Sequence, residues 1–513
     1  MNKQIGPYSK MRDKLLLGGG KDRIEKQHAE GKLTARERIA LLFDEGTFVE
    51  YGLFVKHRCN LFGMENIKAP GEGIITGNGL IDGRKVFAFA HDFTVLGGAM
   101  GEMQGFKHVR LQRLALDAGT PLVGLNDSGG ARLQEGPDAD GYGQVFFNNV
   151  QSSGVIPQIS AIMGPCAGGA AYSPALTDFI VSVEKTSHMF ITGPSVVKQI
   201  TGETVGISEL GGAMTHNSIT GVSHRIAVDD HDCISQIKKY LSYFPSNCYE
   251  KPPFHKSNDD DNRRVEELND IIPENRSKPY NVKKIITAIS DEGDFFEIMP
   301  YFARNIVIGY IRMGGYSVGV IANQPTNMAG CLDINASDKA ARFIRTCDAF
   351  NIPLLSLVDV PGYLPGKHQE WGGIIRHGAK MLYAWAEATV PKIAVAMGKV
   401  YGGANPAMCS IAMEPDYIVA WPTAQRAIMG AESAVEVLYR KELRAAKDVA
   451  ELRKKYIEEY NENFMNPYRA AERGKYDDII EPAMTRIKVI LALHMFADKK
   501  KERKPRKHGN IPL

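Results

Sequence analysis

The sequence predicts an α/β protein of two tandem βα-superhelical domains, the second repeating the first. Three observations carry this. The chain has 513 residues, more than a single hydrophobic core ordinarily supports, so two domains are expected. Apolar runs alternate with glycine turns and helical patterns, as parallel βα units require. Above all, the pattern is written twice. Gly164-Pro165-Cys166-Ala167-Gly168-Gly169-Ala170 has a near-copy in Gly398-Lys399-Val400-Tyr401-Gly402-Gly403-Ala404, displaced by 234 residues. Each follows an apolar run that opens with proline, Pro157 to Met163 and Pro391 to Met397.

Further elements recur in the same order. Ile311 to Ile321 repeats a strand hairpin, and Thr326 stands where Thr94 does. The helix of Ser337 to Arg345 repeats the one holding Lys107 and Arg113. Pro353 to Asp359 matches Pro121 to Asp127, and Asp416 to Val419 matches Asp178 to Val181. Displacements of 232 to 238 across four elements mark an internal duplication.

In chain order, residues 1 to about 50 read as helical and charged. Thr34 is a suitable N-cap for Ala35 to Phe43, and a polar arm of this kind is expected on the outside of a domain. Gly73 to Gly79 and Lys85 to Ala90 alternate as strands around an Asp82-Gly83 hairpin signal. The strand through Phe87 to Thr94 leads to Leu96-Gly97-Gly98-Ala99-Met100-Gly101 and a helix to about Leu116. Pro121 to Asn126 leads to Ser128-Gly129-Gly130-Ala131-Arg132, and Asp178 to Val183 opens a further strand. A polar, proline-containing stretch suggests a boundary: residues 1–255 form the first domain, 256–280 a surface linker, and 281–513 the second domain with a helical tail.

An apolar share of 44% and a charged share of 24% suit a soluble globular enzyme, and a net charge of +3 is too small to argue for nucleic acid or an anionic membrane as a partner; no nucleic-acid partner is expected. The N-terminus carries no apolar signal and no run is long enough to insert in a membrane, so the expected location is cytoplasmic. Seven scattered cysteines form no Cys-x-x-Cys pair, so neither a zinc ribbon nor a disulfide framework is indicated; no metal is expected.

No nucleophile elbow, P-loop or His-Glu-x-x-His motif is present. The glycine turns remain. Glycine lets backbone approach a ligand closely, and a helix start favours negative charge. Paired backbone N–H groups suit acyl-transfer or enolate chemistry, where they hold charge on a thioester oxygen. Both turns also read as tight packing turns when taken singly. Asp127, Ser128 and Arg132 read equally as a helix cap paired to Glu135 or as ligand contacts. Lys107 and Lys339 read as solvated helix positions, His377 as a structural histidine, and Cys166 and Cys409 as small buried residues.

Asp127 to Gly136, Gly164 to Leu176, Gly330-Cys331-Leu332-Asp333-Ile334, Val358 to Tyr363, Ile374 to Lys380 and Lys507 to Leu513 are similar to motifs of the biotin-dependent acyl-CoA carboxylase carboxyltransferase family. That family holds the β subunits of propionyl-CoA and acetyl-CoA carboxylases, the transcarboxylase large subunit and the carboxyltransferase subunits of sodium-pumping decarboxylases. The resemblance implies two crotonase-like (ββα-superhelix) domains. It implies acyl-CoA on the first, with Gly168 and Gly169 on the thioester oxygen and Gly97, Gly98, Ser128, Gly129, Gly130, Ala131, Arg132, Ala167 and Ala170 around the CoA. It implies carboxybiotin on the second, facing from another subunit, with Gly402, Gly403 and Ala404 on the ureido oxygen. Tyr363, Asn405 and Pro406 would set biotin binding and specificity. CO₂ would pass between biotin and the α-carbon of a short-chain acyl-CoA, with the cofactor as base.

The resemblance also implies partners. No Met-Lys-Met attachment site occurs, so biotin would arrive on a biotin carboxyl carrier protein. Biotin carboxylase, or another carboxyltransferase or decarboxylase subunit, would act elsewhere, and this chain would assemble as a homohexamer built from dimers. Two positions depart from the family pattern. Pro406 stands where the family usually has an aspartate or aliphatic residue that helps select acyl-chain length, and Gly398 where arginine precedes lysine. Propionyl-CoA carboxylase, transcarboxylase and decarboxylase run one half-reaction in different directions. A biotin-independent crotonase-type hydratase or thioesterase would instead need a carboxylate, with Glu102 and Glu135 as candidates. A silent assembly subunit is the third reading.

Overall fold

The computed structural model describes residues 2–138, 141–275 and 278–513. The chain divides into two compact units, Met1–Glu250 and Lys251–Leu513. Two residues of the expected linker, 276 and 277, lie outside the described residues. The rest of the stretch expected as a linker belongs to the second unit, where Val265 and Leu268 are buried in the core. Its polar surface composition hid two apolar anchors.

The first unit holds β1 (Val49–Tyr51), β2 (Ile74–Ile81), β3 (Arg84–His91), β4 (Leu122–Ser128), β5 (Gln158–Ala167), β6 (Phe179–Val183), β7 (His188–Phe190) and β8 (Arg225–Ala227). They form one sheet ordered β1-β2-β3-β4-β5-β6-β8, with β7 paired to the end of β5. The β2–β3 hairpin turns at Asp82 and Gly83, both at positive φ, as the Asp-Gly pair predicts. From β3 onward the pairing is parallel. All seven residues of β4 are buried, because helices cover both faces of a parallel sheet.

The second unit repeats the plan with β9 (Phe295–Ile298), β10 (Ile306–Met313), β11 (Tyr316–Asn323), β12 (Leu354–Val360), β13 (Lys392–Tyr401), β14 (Tyr417–Ala420), β15 (Gln425–Ala427) and β16 (Asp478–Ile479). The order is β16-β14-β13-β12-β11-β10-β9, and β15 pairs with β13 as β7 does with β5. Val318, Val320, Leu355, Leu357, Ile393 and Val395 form the sheet side of its core, with Val282, Ile285, Ile286 and Ile289 of the Val282–Ile289 helix among the packed residues. Two tandem α/β units with matched parallel sheets are the architecture expected.

Two local expectations need correction. Thr34 does cap the Ala35–Leu42 helix, in a capping box with Glu37. The arm is not merely an outer layer, however, because Arg38 is fully buried. Nor are Lys107 and Lys339 solvated. Lys107 Nζ donates to Gly71 O at 2.7 Å and Ile74 O at 2.5 Å. Lys339 Nζ reaches Met299 O at 2.9 Å, Phe302 O and Ile306 O at 2.8 Å, and Ala303 O at 3.3 Å. Each lysine gathers carbonyls ahead of a hairpin that helical periodicity alone gives no reason to place there. Burial draws the Lys107 ammonium down to about 8 and that of Lys339 to about 7.

Lys339→Met removes the ammonium donor from four carbonyl oxygens, of which Met299 O and Ala303 O keep backbone donors from Phe302 N and Ile306 N, and each lost partner costs about 1–3 kcal/mol when buried. The variant should lose about 3 kcal/mol or more of stability in denaturant unfolding, well beyond a surface lysine change.

Candidate active site

Both glycine turns begin at a break in strand register. Along β4 and β5, Asn126 pairs with Ile162, but Ser128 pairs with Cys166. Along β12 and β13, Val358 pairs with Ala396 and Val360 with Val400. One aspartate therefore faces three residues, Asp127 opposite Met163-Gly164-Pro165 and Asp359 opposite Met397-Gly398-Lys399. The carboxylate fills the gap. A Cβ on Gly164 would fall inside the Asp127 carboxylate, and one on Gly398 would lie 2.6 Å from Oδ1 of Asp359. Glycine at 398 thus leaves room for the Asp359 carboxylate in this chain.

Around the first turn, the loops expected at the site are brought together. Ser128 Oγ donates to Gly98 O at 2.7 Å and accepts from Gly130 N at 3.2 Å. Gly129 N donates to Gly97 O at 2.9 Å, and Met100 N to Gly130 O at 2.8 Å. A Cβ on Gly130 would lie 2.7 Å from Ala167 O, so these strands approach closely only as glycine. Ala131 continues the loop as a bridge partner of Met100. Arg132 resolves its open reading: Nη1 lies 2.6 Å from both Glu72 Oε1 and Glu135 Oε1, and Nη2 donates to Ala99 O at 3.0 Å. Its guanidinium and the Ser128 hydroxyl are both committed to holding the loops.

Gly168 sits at φ 59 and ψ −122, a conformation closed to side-chain-bearing residues. Its N–H already donates to Phe190 O at 3.0 Å. The Gly169–Ala175 helix follows, and its first N–H groups, on Gly169 and Ala170, have no intrahelical acceptor. The second turn matches. Gly402 is at φ 55 and its N–H donates to Ala427 O at 3.0 Å, ahead of the Ala404–Ala407 helix. The expectation that Gly168 and Gly402 donate to a ligand is thus corrected; the available donors are Gly169 with Ala170, and Gly403 with Ala404. Pairing of β7 and β15 to the strand ends, unreadable from the turn motif, uses up the first N–H of each.

Tyr363 occupies the repeat position of Ala131, bridging Leu332 as Ala131 bridges Met100. Its ring packs on Gly378, and burial pushes the phenol up to about 12. Asn405 and Pro406 are half-buried, within the short helix that starts at Ala404. Beside this turn, a cleft lined by Tyr280, Ala329, Asp359, Lys399, Thr423 and Gln425 opens at the carboxyl ends of β12 and β13.

Several candidate side chains are structural. His377 Nδ1 lies 2.7 Å from Asp338 Oδ2, as a satisfied histidine should. Cys166 and Cys409 are buried, and burial pushes the Cys409 thiol up to about 12, so neither supplies a nucleophile. Glu135 is committed to Arg132 and to Glu102 N at 2.7 Å, while Glu102 is exposed beside Arg58. Neither is poised as a hydratase base. Among the described residues no cluster of His, Cys, Asp or Glu could hold a metal, and no helix is long and apolar enough to cross a membrane.

A carboxyl transferase domain model matches residues 26–511. The chain belongs to the carboxyl transferase family. It is 57% identical over 501 residues to the methylmalonyl-CoA decarboxylase subunit alpha of Veillonella parvula, covering 98% of this chain and 97% of that one. It is 52% identical over 501 residues to the mitochondrial propionyl-CoA carboxylase beta chain of Homo sapiens, covering 97% and 92%. The crystal structure of transcarboxylase 12S, a hexamer assembly with methylmalonyl-coenzyme A and methylmalonic acid bound, superposes with a TM-score of 0.97 at 52% identity, covering 100% of this chain and 98% of that one. The fold is therefore the two-domain carboxyltransferase fold of these enzymes, and the chain is an enzyme of this class.

Sequence reasoning missed three features. One is the wedge role of Asp127 and Asp359, whose repeat match shows equivalence but not the contact of each carboxylate with a glycine. Arg38 carried no signal beyond its charge. His91 and His108 also went unnoticed; they are buried at the end of β3 and in the Glu102–Ala118 helix, against Phe89. All four ring nitrogens lack hydrogen-bond partners among the described residues. Burial pulls His91 down to about 4 and His108 to about 3, so both rings are neutral at pH 7.

The folded values lie below the ordinary 6.5, so the unfolded chain takes up protons first as pH falls. The first unit should be fully stable above about 6.5 and lose stability as pH drops toward 4, with each pKa unit worth about 1.4 kcal/mol. Replacing both histidines by phenylalanine should flatten that slope in thermal melts. Separately, Gly164→Ala drives a methyl into the Asp127 carboxylate and should cost at least about 2 kcal/mol and most activity.

Proposed function

We propose that this protein is the carboxyltransferase subunit that moves CO₂ between carboxybiotin and the α-carbon of a short-chain acyl-CoA, with propionyl-CoA and methylmalonyl-CoA as the pair. The supporting observation is the carboxyl transferase match across residues 26–511, joined to duplicated turns that each present unpaired N–H groups. The first turn takes the thioester. Gly169 and Ala170 N–H groups stabilise negative charge on its oxygen, and one such donor is typically worth about 10²–10³ in rate. Gly97, Gly98, Gly129, Gly130, Ala131 and Ala167 shape the bare backbone channel for the CoA, which Ser128 and Arg132 hold in place.

The second turn fits biotin. Gly403 and Ala404 offer neutral donors suited to a ureido oxygen, beside the half-buried Asn405 and Pro406 and the Tyr363 ring. Biotin, when bound, supplies the CO₂ and the proton acceptor, which agrees with the absence of a poised carboxylate among the described residues near the first turn. It arrives on a carrier protein. The direction of transfer depends on the partner, since relatives include both decarboxylase and carboxylase subunits. A homohexamer follows the transcarboxylase 12S assembly.

Purified protein with free biotin should decarboxylate methylmalonyl-CoA, and malonyl-CoA or glutaconyl-CoA more slowly. Turnover that is equal without biotin would sink the proposal. Pro406→Asp and Pro406→Ile should shift kcat/KM among acyl chain lengths by about tenfold while leaving the melting temperature unchanged, since one or two methylenes are worth about 1–3 kcal/mol in a pocket.

A further inference from the structure

The two aspartates are held in different ways, and the difference is specific. At the second turn, Asp359 Oδ1 accepts from Lys399 N at 2.7 Å, inside the bulge itself. The matching residue at the first turn is Pro165, which has no N–H to give. Oδ1 of Asp127 accordingly has no hydrogen-bond donor among the described residues. The first unit compensates on the other oxygen. Arg38 Nη1 donates to Asp127 Oδ2 at 2.9 Å, and Gln27 Nε2 donates to it at 3.1 Å. Lys32 Nζ stands 3.6 Å away.

Arg38 also reaches the bulge directly. Its Nη2 donates to Met163 O at 3.0 Å, the carbonyl before Gly164, while Nε is anchored on Asp230 Oδ2 at 2.8 Å. The second unit meets the same two acceptors with two neutral hydroxyls. Thr423 Oγ1 donates to Met397 O at 2.6 Å, and Tyr280 OH donates to Asp359 Oδ2 at 2.9 Å. Met163 and Met397 are repeat equivalents, as are Asp127 and Asp359. One guanidinium in the first copy thus does what two hydroxyls do in the second.

We infer that Arg38 is a positioning residue for the first glycine turn, and that Tyr280 and Thr423 are positioning residues for the second. Each set fixes the bulge from which the strand runs four residues on to Gly168 or Gly402. The N–H groups that follow those glycines are aimed by this clamp, and a misplacement of 1 Å can cost on the order of 100-fold in rate. The inference rests on the reading that the turns hold different guests, so each clamp should govern one guest only.

The test uses the full-length protein and the conservative variants Arg38→Lys, Tyr280→Phe and Thr423→Val, which keep volume and preserve folding better than truncation. Hydrogen–deuterium exchange is followed in peptides spanning 164–172 and 398–406, where Gly168 N–H and Gly402 N–H report the turns. Arg38→Lys should speed exchange about tenfold in the first peptide alone, and Tyr280→Phe and Thr423→Val in the second alone, one tenfold step being about 1.4 kcal/mol of local opening. In kinetics with methylmalonyl-CoA and free biotin, Arg38→Lys should raise KM for the thioester and lower kcat while KM for biotin stays put. The other two variants should raise KM for biotin only.

Unchanged exchange at both turns, or faster exchange throughout the sheet of that unit, overturns the inference. So does a fall in kcat that only matches a fall in the folded fraction measured by circular dichroism, which is what a simple loss of folded enzyme gives. A confined exchange change with the KM split reversed upholds the clamps and refutes the assignment of guests. Wild-type protein without biotin-dependent turnover refutes the proposed function, and the exchange data then decide the clamps alone.

Discussion

A carboxylate pressed against a glycine is the contact on which this structure turns. In each unit a parallel strand ends one residue after an aspartate, and its neighbour must run three residues past the same point. The extra length needs something to wedge it open, and Asp127 and Asp359 do so. Glycine at 164 and 398 is the steric consequence. Without the wedge, β5 and β13 would continue in register, and the turns at Gly168 and Gly402 would point elsewhere.

A buried carboxylate is expensive unless its oxygens are satisfied. The two copies meet that demand with different chemistry. In the second, the Lys399 N–H and the Tyr280 hydroxyl donate to the carboxylate. In the first, proline removes the backbone donor, burial pushes the Asp127 carboxyl upward, and Arg38 and Lys32 oppose that shift. The N-terminal arm is thereby drawn into the base of the first turn. Duplication has preserved the geometry while letting the supporting residues diverge, as expected when backbone shape is what the reaction needs.

The same logic explains why no catalytic side chain stands out. Gly169, Ala170, Gly403 and Ala404 contribute only N–H groups, and the polar side chains nearby are committed to holding loops. Ser128 joins Gly98 to Gly130; Arg132 ties Ala99 to Glu72 and Glu135. Specificity then falls to shape, and Asn405 and Pro406 on the second turn are where shape departs from the family pattern.

The sequence by itself determined the duplication, the parallel βα units and the place of both turns, because glycine is forced wherever backbone must approach backbone or take positive φ. It also determined the family, through motifs that span the chain. It could not reveal that Gly168 and Gly402 spend their N–H groups on β7 and β15, since those pairings join distant strands. Nor could it expose Lys339, whose helix reads as amphipathic, or the clamps. Arg38 lies 89 residues from Asp127 and Tyr280 lies 79 from Asp359. Local pattern records which backbone shapes are possible; only the packed sheet decides which distant side chain arrives to hold them.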